Sequence, residues 1–190
     1  MSSGLETEVK FRIASWDEGE ERLRSGGARI CRPRYFEKNV LFDFPQHNLE
    51  KRGEALRLRT ARGSTWLTFK GPVHGSGRIK QRKEYETTLG DAIAVEDILH
   101  ALGLSECFLY EKYRADYVLE GLVVSLDEAP MGCFLELEGP PAEIEAGARR
   151  LELRLHDGIS LAYPRLYQLF RDETPDAPEF MVFSGGKESQ

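Results

Sequence analysis

The stretch Glu6-Thr7-Glu8-Val9-Lys10-Phe11-Arg12-Ile13 alternates charged and apolar side chains with a period of two. Successive side chains of a β-strand point to opposite faces, so Glu6, Glu8, Lys10 and Arg12 share one face and Val9, Phe11 and Ile13 the other. The same pattern recurs along the chain. Arg57 and Arg59 interleave with Leu56 and Leu58, Thr68 and Lys70 with Leu67 and Phe69, and Arg82, Glu84 and Glu86 alternate about Tyr85. Further on, Lys112, Arg114 and Asp116 alternate with Tyr113, Ala115 and Tyr117, then Ser125 and Asp127 with Val124 and Leu126, then Glu136 and Glu138 with Leu135 and Leu137. Seven strands of one design are predicted.

Helical spacing predicts helices between them. Asp17 to Ser25 stops at Gly26-Gly27, and Asp91 to Leu102 carries Ile93, Ile98, Leu99 and Leu102 before Gly103. Ala142 to Leu155 follows Pro140-Pro141 with Ile144, Ala148, Leu151 and Leu155 along one side, and Leu161 to Phe170 closes the series. Residues 1–170 read as one domain, and 171–190, with Pro175 and Pro178, as an irregular tail expected to fray.

A half-buried strand of an ordinary sandwich sets mixed polar residues such as Thr, Ser and Gln towards water. Here the polar faces are almost purely ionic. Amphipathic helices can cover every apolar face only if the sheet curls with its charges inward. The expected fold is therefore α+β, a closed or nearly closed antiparallel β-barrel with a charged lumen and helices packed outside. An outer-membrane barrel also has a polar lumen, but it needs about 9–11 residues per strand and no covering helices; these strands read as shorter, and helices are present.

The chain has 190 residues, enough to bury a full core without disulfides. Its 32 acids against 26 bases give a net charge of -6, which argues against general nucleic-acid binding. Met1 to Leu5 shows no basic and apolar leader, and no apolar run approaches a membrane span, so a cytoplasmic location is expected, with no membrane partner. Cys31, Cys107 and Cys133 lack metal or disulfide spacing and read as small core residues.

The inward-facing bases are Lys10, Arg12, Arg57, Arg59, Lys70, Arg82, Lys112 and Arg114, and the acids Glu6, Glu8, Glu84, Glu86, Asp116, Asp127, Glu136 and Glu138. Enclosing them is costly unless they pair or hold a guest. Guanidinium forks and lysine point charges suit the oxygens of a polyphosphate. Glu-x-Glu pairs on one face, at Glu6/Glu8 and Glu136/Glu138, suit Mg²⁺ or Mn²⁺ bridging carboxylate and phosphate. The alternative is that acids and bases only cross-pair between strands, an alternative with most force for Arg12, Arg82 and Asp116 at strand ends.

Glu6-Thr7-Glu8-Val9-Lys10 resembles the E-x-E-x-K signature of the CYTH superfamily, the triphosphate tunnel metalloenzymes that include class IV adenylate cyclases and thiamine triphosphatases. The likeness continues in order through Leu56-Arg57-Leu58-Arg59, Thr68-Phe69-Lys70, Arg82-Lys83-Glu84-Tyr85-Glu86, Lys112-Tyr113-Arg114, Leu126-Asp127, Glu136-Leu137-Glu138 and the helix from Ala162-Tyr163 to Phe170. The resemblance implies an eight-stranded tunnel. It implies catalytic roles for Glu6, Glu8, Lys10 and Lys112, and substrate binding by Lys10, Arg57, Arg59, Lys70, Arg82, Lys112 and Arg114. It further implies metal or water positioning by Glu6, Glu8, Asp127, Glu136 and Glu138, supported by Glu84 and Glu86. Where some family cyclases carry His-Phe shortly before the signature, Ser2-Ser3-Gly4-Leu5 stands here, which weakens the cyclase reading.

The leading expectation is a phosphohydrolase using Mg²⁺ or Mn²⁺ on tripolyphosphate, a nucleoside triphosphate or thiamine triphosphate, with no stable nucleic-acid partner. The rivals are an adenylate cyclase and a non-catalytic polyphosphate or nucleotide binder. The loop Gly71-Pro72-Val73-His74-Gly75-Ser76-Gly77 lacks the helix and Lys-Ser/Thr of a P-loop and reads as a hairpin. Arg78-Ile79-Lys80-Gln81-Arg82-Lys83 reads as a solvated strand entrance, and the four scattered histidines serve no site.

Overall fold

The computed structural model describes residues 2–74 and 77–184. Gly75 and Ser76 of the predicted hairpin loop, and 185–190 of the predicted tail, lie outside them. Eight strands close into an antiparallel barrel in the order β1-β5-β4-β3-β2-β6-β7-β8. They are β1 (Ser2–Ile13), β2 (Arg29–Asp43), β3 (Ala55–Ala61), β4 (Ser64–Lys70), β5 (Lys80–Leu89), β6 (Ser105–Leu119), β7 (Leu122–Ala129) and β8 (Gly132–Glu138). Five helices pack outside: α1 (Trp16–Ser25), α2 (Asn48–Lys51), α3 (Ala92–Ala101), α4 (Pro141–Arg150) and α5 (Tyr163–Glu173).

The register puts like faces together. Lys10 pairs with Glu136, Glu6 with Arg82, Arg57 with Thr68 and Arg114 with Asp127, so the charged face of each strand continues into the next. The opposite faces of β1, β7 and β8 present Val9, Phe11, Val124, Leu126, Leu135 and Leu137, which form one core with Leu23 of α1 and Ile144 and Ala148 of α4. α1 starts on a reciprocal cap: the Glu18 N–H donates to Ser15 Oγ and the Ala14 N–H donates to Glu18 Oε2, satisfying two otherwise orphaned donors. α5 lays Leu166 and Tyr167 against Phe134 and Tyr110.

Several expectations are corrected. β2 is an eighth strand that the alternation does not reveal, because Pro33 breaks its start into register shifts and its inward face mixes Tyr35, Glu37, Asn39 and Leu41. β1, β2 and β6 have 12, 15 and 15 residues, so strand length does not distinguish this barrel from a membrane one. What does is that helices cover much of its apolar outer face. α3 anchors through Leu99, while Ile93, Ile98 and Leu102 are 73%, 56% and 64% exposed, because they flank the buried stripe instead of forming it. α4 ends at Arg150 and Leu155 falls in a separate 3-10 turn, the chain turning at Glu152 with φ 56°. Cys31 and Cys107 are exposed and Cys133 is half-buried, on strand segments the helices leave open. The segment expected to fray is docked in its described part: α5 continues to Glu173, Met181 is fully buried, and its backbone exchanges hydrogen bonds with Leu109 and Glu111 beside β6.

Candidate active site

A cavity of about 290 Å³ occupies the lumen, and every predicted site residue except Asp127 lines it. Six strands, β1, β3, β4, β5, β6 and β8, supply these residues, so their spacing is held by the barrel and not by loops. Of the other inward candidates, Arg12 is exposed and donates to the Met131 carbonyl outside the cavity, and Asp116 is buried against Arg32, Tyr35 and Ser125.

Bases and acids are paired unevenly. Lys70 Nζ lies 2.7 Å from Glu6 and 2.7 Å from Glu84, and Arg82 Nε lies 3.2 Å from Glu6. Lys10 and Arg114 both engage Glu136, and Arg59 Nη2 donates to both oxygens of Glu86 at 3.0 Å. Cross-strand pairing of acids and bases is therefore real. Arg57 stands apart from it: its contacts to Tyr110, Thr68 and Glu86 are 3.3, 3.4 and 3.8 Å. The Nε–H groups of both Arg57 and Arg59 are buried with no acceptor among the described residues. Unmet guanidinium donors in a lumen are what an oxyanion would satisfy.

On the opposite side the imbalance is negative. Glu8 and Glu138 are direct cross-strand partners, an arrangement that is unfavourable for like charges. The neighbouring bases Lys70, Lys80 and Arg114 are engaged by Glu6, Glu8 and Glu136, and Glu138 enters no ion pair among the described residues. Lost solvation, then the charges of Glu6 and Glu8, push its carboxyl up to about 7. Among the described residues no three His, Cys, Asp or Glu side chains form a ready metal nest. Mg²⁺ does not need one, since it is commonly held by one or two carboxylates together with substrate phosphates, and the Glu8/Glu138 pair fits that requirement.

The raised carboxyl has a consequence for stability. A native pKa of about 7 against an ordinary 4.5 means that folded protein holds an extra proton between those values, so stability falls as pH rises through that window. Glu138→Gln removes this slope. In metal-free buffer its urea midpoint is expected to gain on the wild type from pH 4.5 to 7 and to hold a constant lead above, and parallel curves at all pH would refute the assignment.

Asp127 does not face the cavity. It is fully buried, with Arg114 donating to both its oxygens at 2.6 Å, Lys112 at 3.0 Å and the Tyr163 hydroxyl at 2.7 Å. With its oxygens so occupied, it anchors two bases from behind. Glu37, which sequence reasoning missed with β2, does similar work: burial alone would raise its carboxyl, but Lys112, Arg114, Arg57 and Arg59 hold it down to about 2. Lys80, read as a solvated entrance, is buried beside Glu8, and burial pulls it down to about 8. Tyr163, whose sequence context gives only a helix, places its ring centroid 4.3 Å from Lys10 Nζ and 4.8 Å from Lys112 Nζ.

The closed barrel thus opposes the buried Nε–H groups of Arg57 and Arg59 to the Glu8/Glu138 pair, in which Glu8 meets Lys80 and Glu138 enters no ion pair among the described residues. The CYTH domain model matches residues 4–158, and the chain belongs to the CYTH family. A Methanocaldococcus jannaschii protein designated a candidate adenylate cyclase is 29% identical over 149 residues, spanning 78% of this chain and 84% of its own. A Pyrococcus horikoshii structure superposes with a TM-score of 0.72 at 28% identity, covering 87% of this chain and 99% of that one. A Vibrio parahaemolyticus structure gives 0.77 at 18% identity, over 88% and 99%, and a Hippeastrum protein described as having a dominant triphosphatase activity gives 0.57 at 19%, over 96% and 92%. The last two likenesses extend to the fold alone.

Proposed function

We propose that the lumen binds a triphosphate and that the chain is a divalent-metal-dependent phosphohydrolase of inorganic or organic triphosphate. The observation that carries this is the two-sided imbalance of one cavity, with the Nε–H groups of Arg57 and Arg59 short of acceptors and Glu138, facing Glu8, without a basic partner among the described residues. Arg57, Arg59, Lys70, Arg82, Lys112, Arg114 and Lys10 grip phosphate oxygens from different strands and fix the chain's direction. Glu6, Glu8 and Glu138, supported by Glu84, Glu86 and Glu136, would hold Mg²⁺ or Mn²⁺, which would supply charge neutralisation at the transferred phosphoryl group. The carboxylates would also orient an attacking water.

Replacing both Arg57 and Arg59 by Ala tests the binding half. Tripolyphosphate is expected to raise the melting temperature of the wild type by mass action and to lose most of that shift in the double variant. Equal shifts would leave these arginines as partners of Glu86 and Glu37 only.

Adenylate cyclase activity is the second reading, favoured by the designation of the M. jannaschii relative. Cyclisation needs a ribose 3′-oxygen aligned on the α-phosphorus, whereas hydrolysis needs only the chain and a water. A non-catalytic binder would gain nothing from the Glu8/Glu138 pair. A panel of triphosphates with Mg²⁺ and with Mn²⁺, read for phosphate and cyclic AMP together, decides among the three. Hydrolysis of at least one triphosphate is expected at a higher kcat/KM than cyclisation of ATP, and the reverse order would establish the cyclase.

A further inference from the structure

Glu8 is the residue of β1 at which the pairing of that strand changes over: Lys80 of β5 is its direct partner on one side and Glu138 of β8 on the other. The rows before and after it on the same face match acid to base, Glu6 to Arg82 and Lys10 to Glu136. The row Lys80–Glu8–Glu138 carries two acids and one base. That base is held in place although it opens its strand. The Arg78 guanidinium donates to the Gly158 carbonyl at 3.3 Å, the His74 N–H to the Gln81 carbonyl at 2.7 Å, and the Gln81 side-chain amide to Thr7 Oγ1 at 3.1 Å. Both chain neighbours of the Ile79–Lys80 pair are thus tethered, and the Lys80 side chain is buried.

Among the described residues Lys80 has one ion partner, Glu8, with Nζ 3.4 Å from Oε1. A charge-assisted hydrogen bond is shorter, about 2.7–2.9 Å, so Lys80 acts on Glu8 as a nearby charge and does not lock its geometry. Lys70 and Lys10 also act on Glu8, but each is bound to other acids, Lys70 to Glu6 and Glu84 and Lys10 to Glu136. Arg82 stands 3.9 Å from Glu8 and is bound more closely to Glu6. Glu8 in turn draws Lys80 in, while Arg82, Lys70 and Lys10 repel it.

We propose that Lys80 is a resident counter-ion of the Glu8/Glu138 pair, which offsets part of its charge before a divalent cation binds and weakens its hold on metal unaccompanied by phosphate. A cation beside Glu8 meets the Lys80 ammonium at close range, a repulsion that the low-dielectric wall strengthens. A phosphate chain brings negative charge that offsets this repulsion, so metal and triphosphate enter together. The inference rests on the Glu8/Glu138 pair serving the divalent cation, and it makes Lys80 a positioning residue that acts through Glu8.

Mn²⁺ is titrated at pH 7, with no phosphate compound present, into the wild type, Lys80→Met and Lys80→Arg, and free Mn²⁺ is read by electron paramagnetic resonance. Lys80→Met keeps an apolar stem and removes the charge. It is expected to bind Mn²⁺ at least about tenfold more tightly than the wild type, the modest end of removing a unit charge a few ångströms away. Lys80→Arg, which restores the charge, should stay within about threefold of the wild type. Mn²⁺ should also raise the urea midpoint of Lys80→Met by more than that of the wild type. A merely structural lysine gives no such gain. Mn²⁺ affinity of Lys80→Met equal to or below that of the wild type, or a gain shared by Lys80→Arg, overturns the counter-ion role and leaves the carboxylate pair standing. Adding Glu8→Gln and Glu138→Gln to Lys80→Met should abolish the gain. A gain that survives them places the metal elsewhere and overturns both the pair and the role of Lys80. If Lys80→Met does not fold, Lys80→Gln carries the same comparison.

Discussion

Replacing Asp127 by Ala is expected to cost about 3–5 kcal/mol of folding stability, the scale of leaving a buried ion-pair partner uncompensated. Asp127 is fully buried, and Arg114, Lys112 and Tyr163 all donate to it. Without it, Lys112 keeps only Glu37 at 3.7 Å and Arg114 keeps only Glu136, which Lys10 also claims. The two bases would be left near each other with too few counter-charges. Asp127→Asn keeps the shape and two acceptor lone pairs on one oxygen, so its loss should be clearly smaller. Urea unfolding in metal-free buffer measures both. A loss under about 1 kcal/mol for Asp127→Ala would show that Asp127 is not a structural anchor and would return it to the metal-ligand role the sequence suggested.

The placement of Asp127 shows where sequence reading stops. Alternation with period two is a property of each strand alone, so it discloses which side of β1, β3, β4 or β8 faces inward, and an ionic inner face implies closure. What an inward residue meets depends on register with its neighbours, which no strand states by itself. Asp127 lies opposite Phe134 on one side and Arg114 on the other, and that pairing makes it an anchor. β2 escaped for a related reason: with Pro33 at its start and both Tyr35 and Leu41 turned inward, its faces lack chemical contrast, and Glu37 was lost with it. Lys80 carries the same side-chain type as a solvated lysine, and only the opposing Glu8 identifies it as part of the lumen. In α3 the residues Ile93, Ile98 and Leu102 satisfied a helical stripe in number, but the barrel surface there accepts only the narrower face centred on Leu99.

The carboxylate pair gives the second large effect. Glu8→Gln with Glu138→Gln keeps the size and shape of both side chains and removes two negative charges that face each other across β1 and β8. If they serve to hold the divalent cation, kcat/KM for the preferred triphosphate with Mg²⁺ should fall by at least about a hundredfold, the scale of removing one strong electrostatic contributor from an active site. The two halves of the site should then separate. Tripolyphosphate affinity without metal should hold or improve, because Arg57, Arg59 and Lys70 remain and two repelling charges are gone, whereas the Arg57→Ala, Arg59→Ala double variant loses affinity under the same conditions. At pH 8 Glu138→Gln alone should be more stable than the wild type, because burial and the neighbouring acids disfavour its charge, whereas Glu8→Gln offsets that gain by depriving buried Lys80 of its partner. A double variant that binds triphosphate normally and yet turns over at the wild-type rate at saturating Mg²⁺ would show that this pair is only a structural feature of the barrel, and that the metal, if the reaction uses one, is held elsewhere in the lumen.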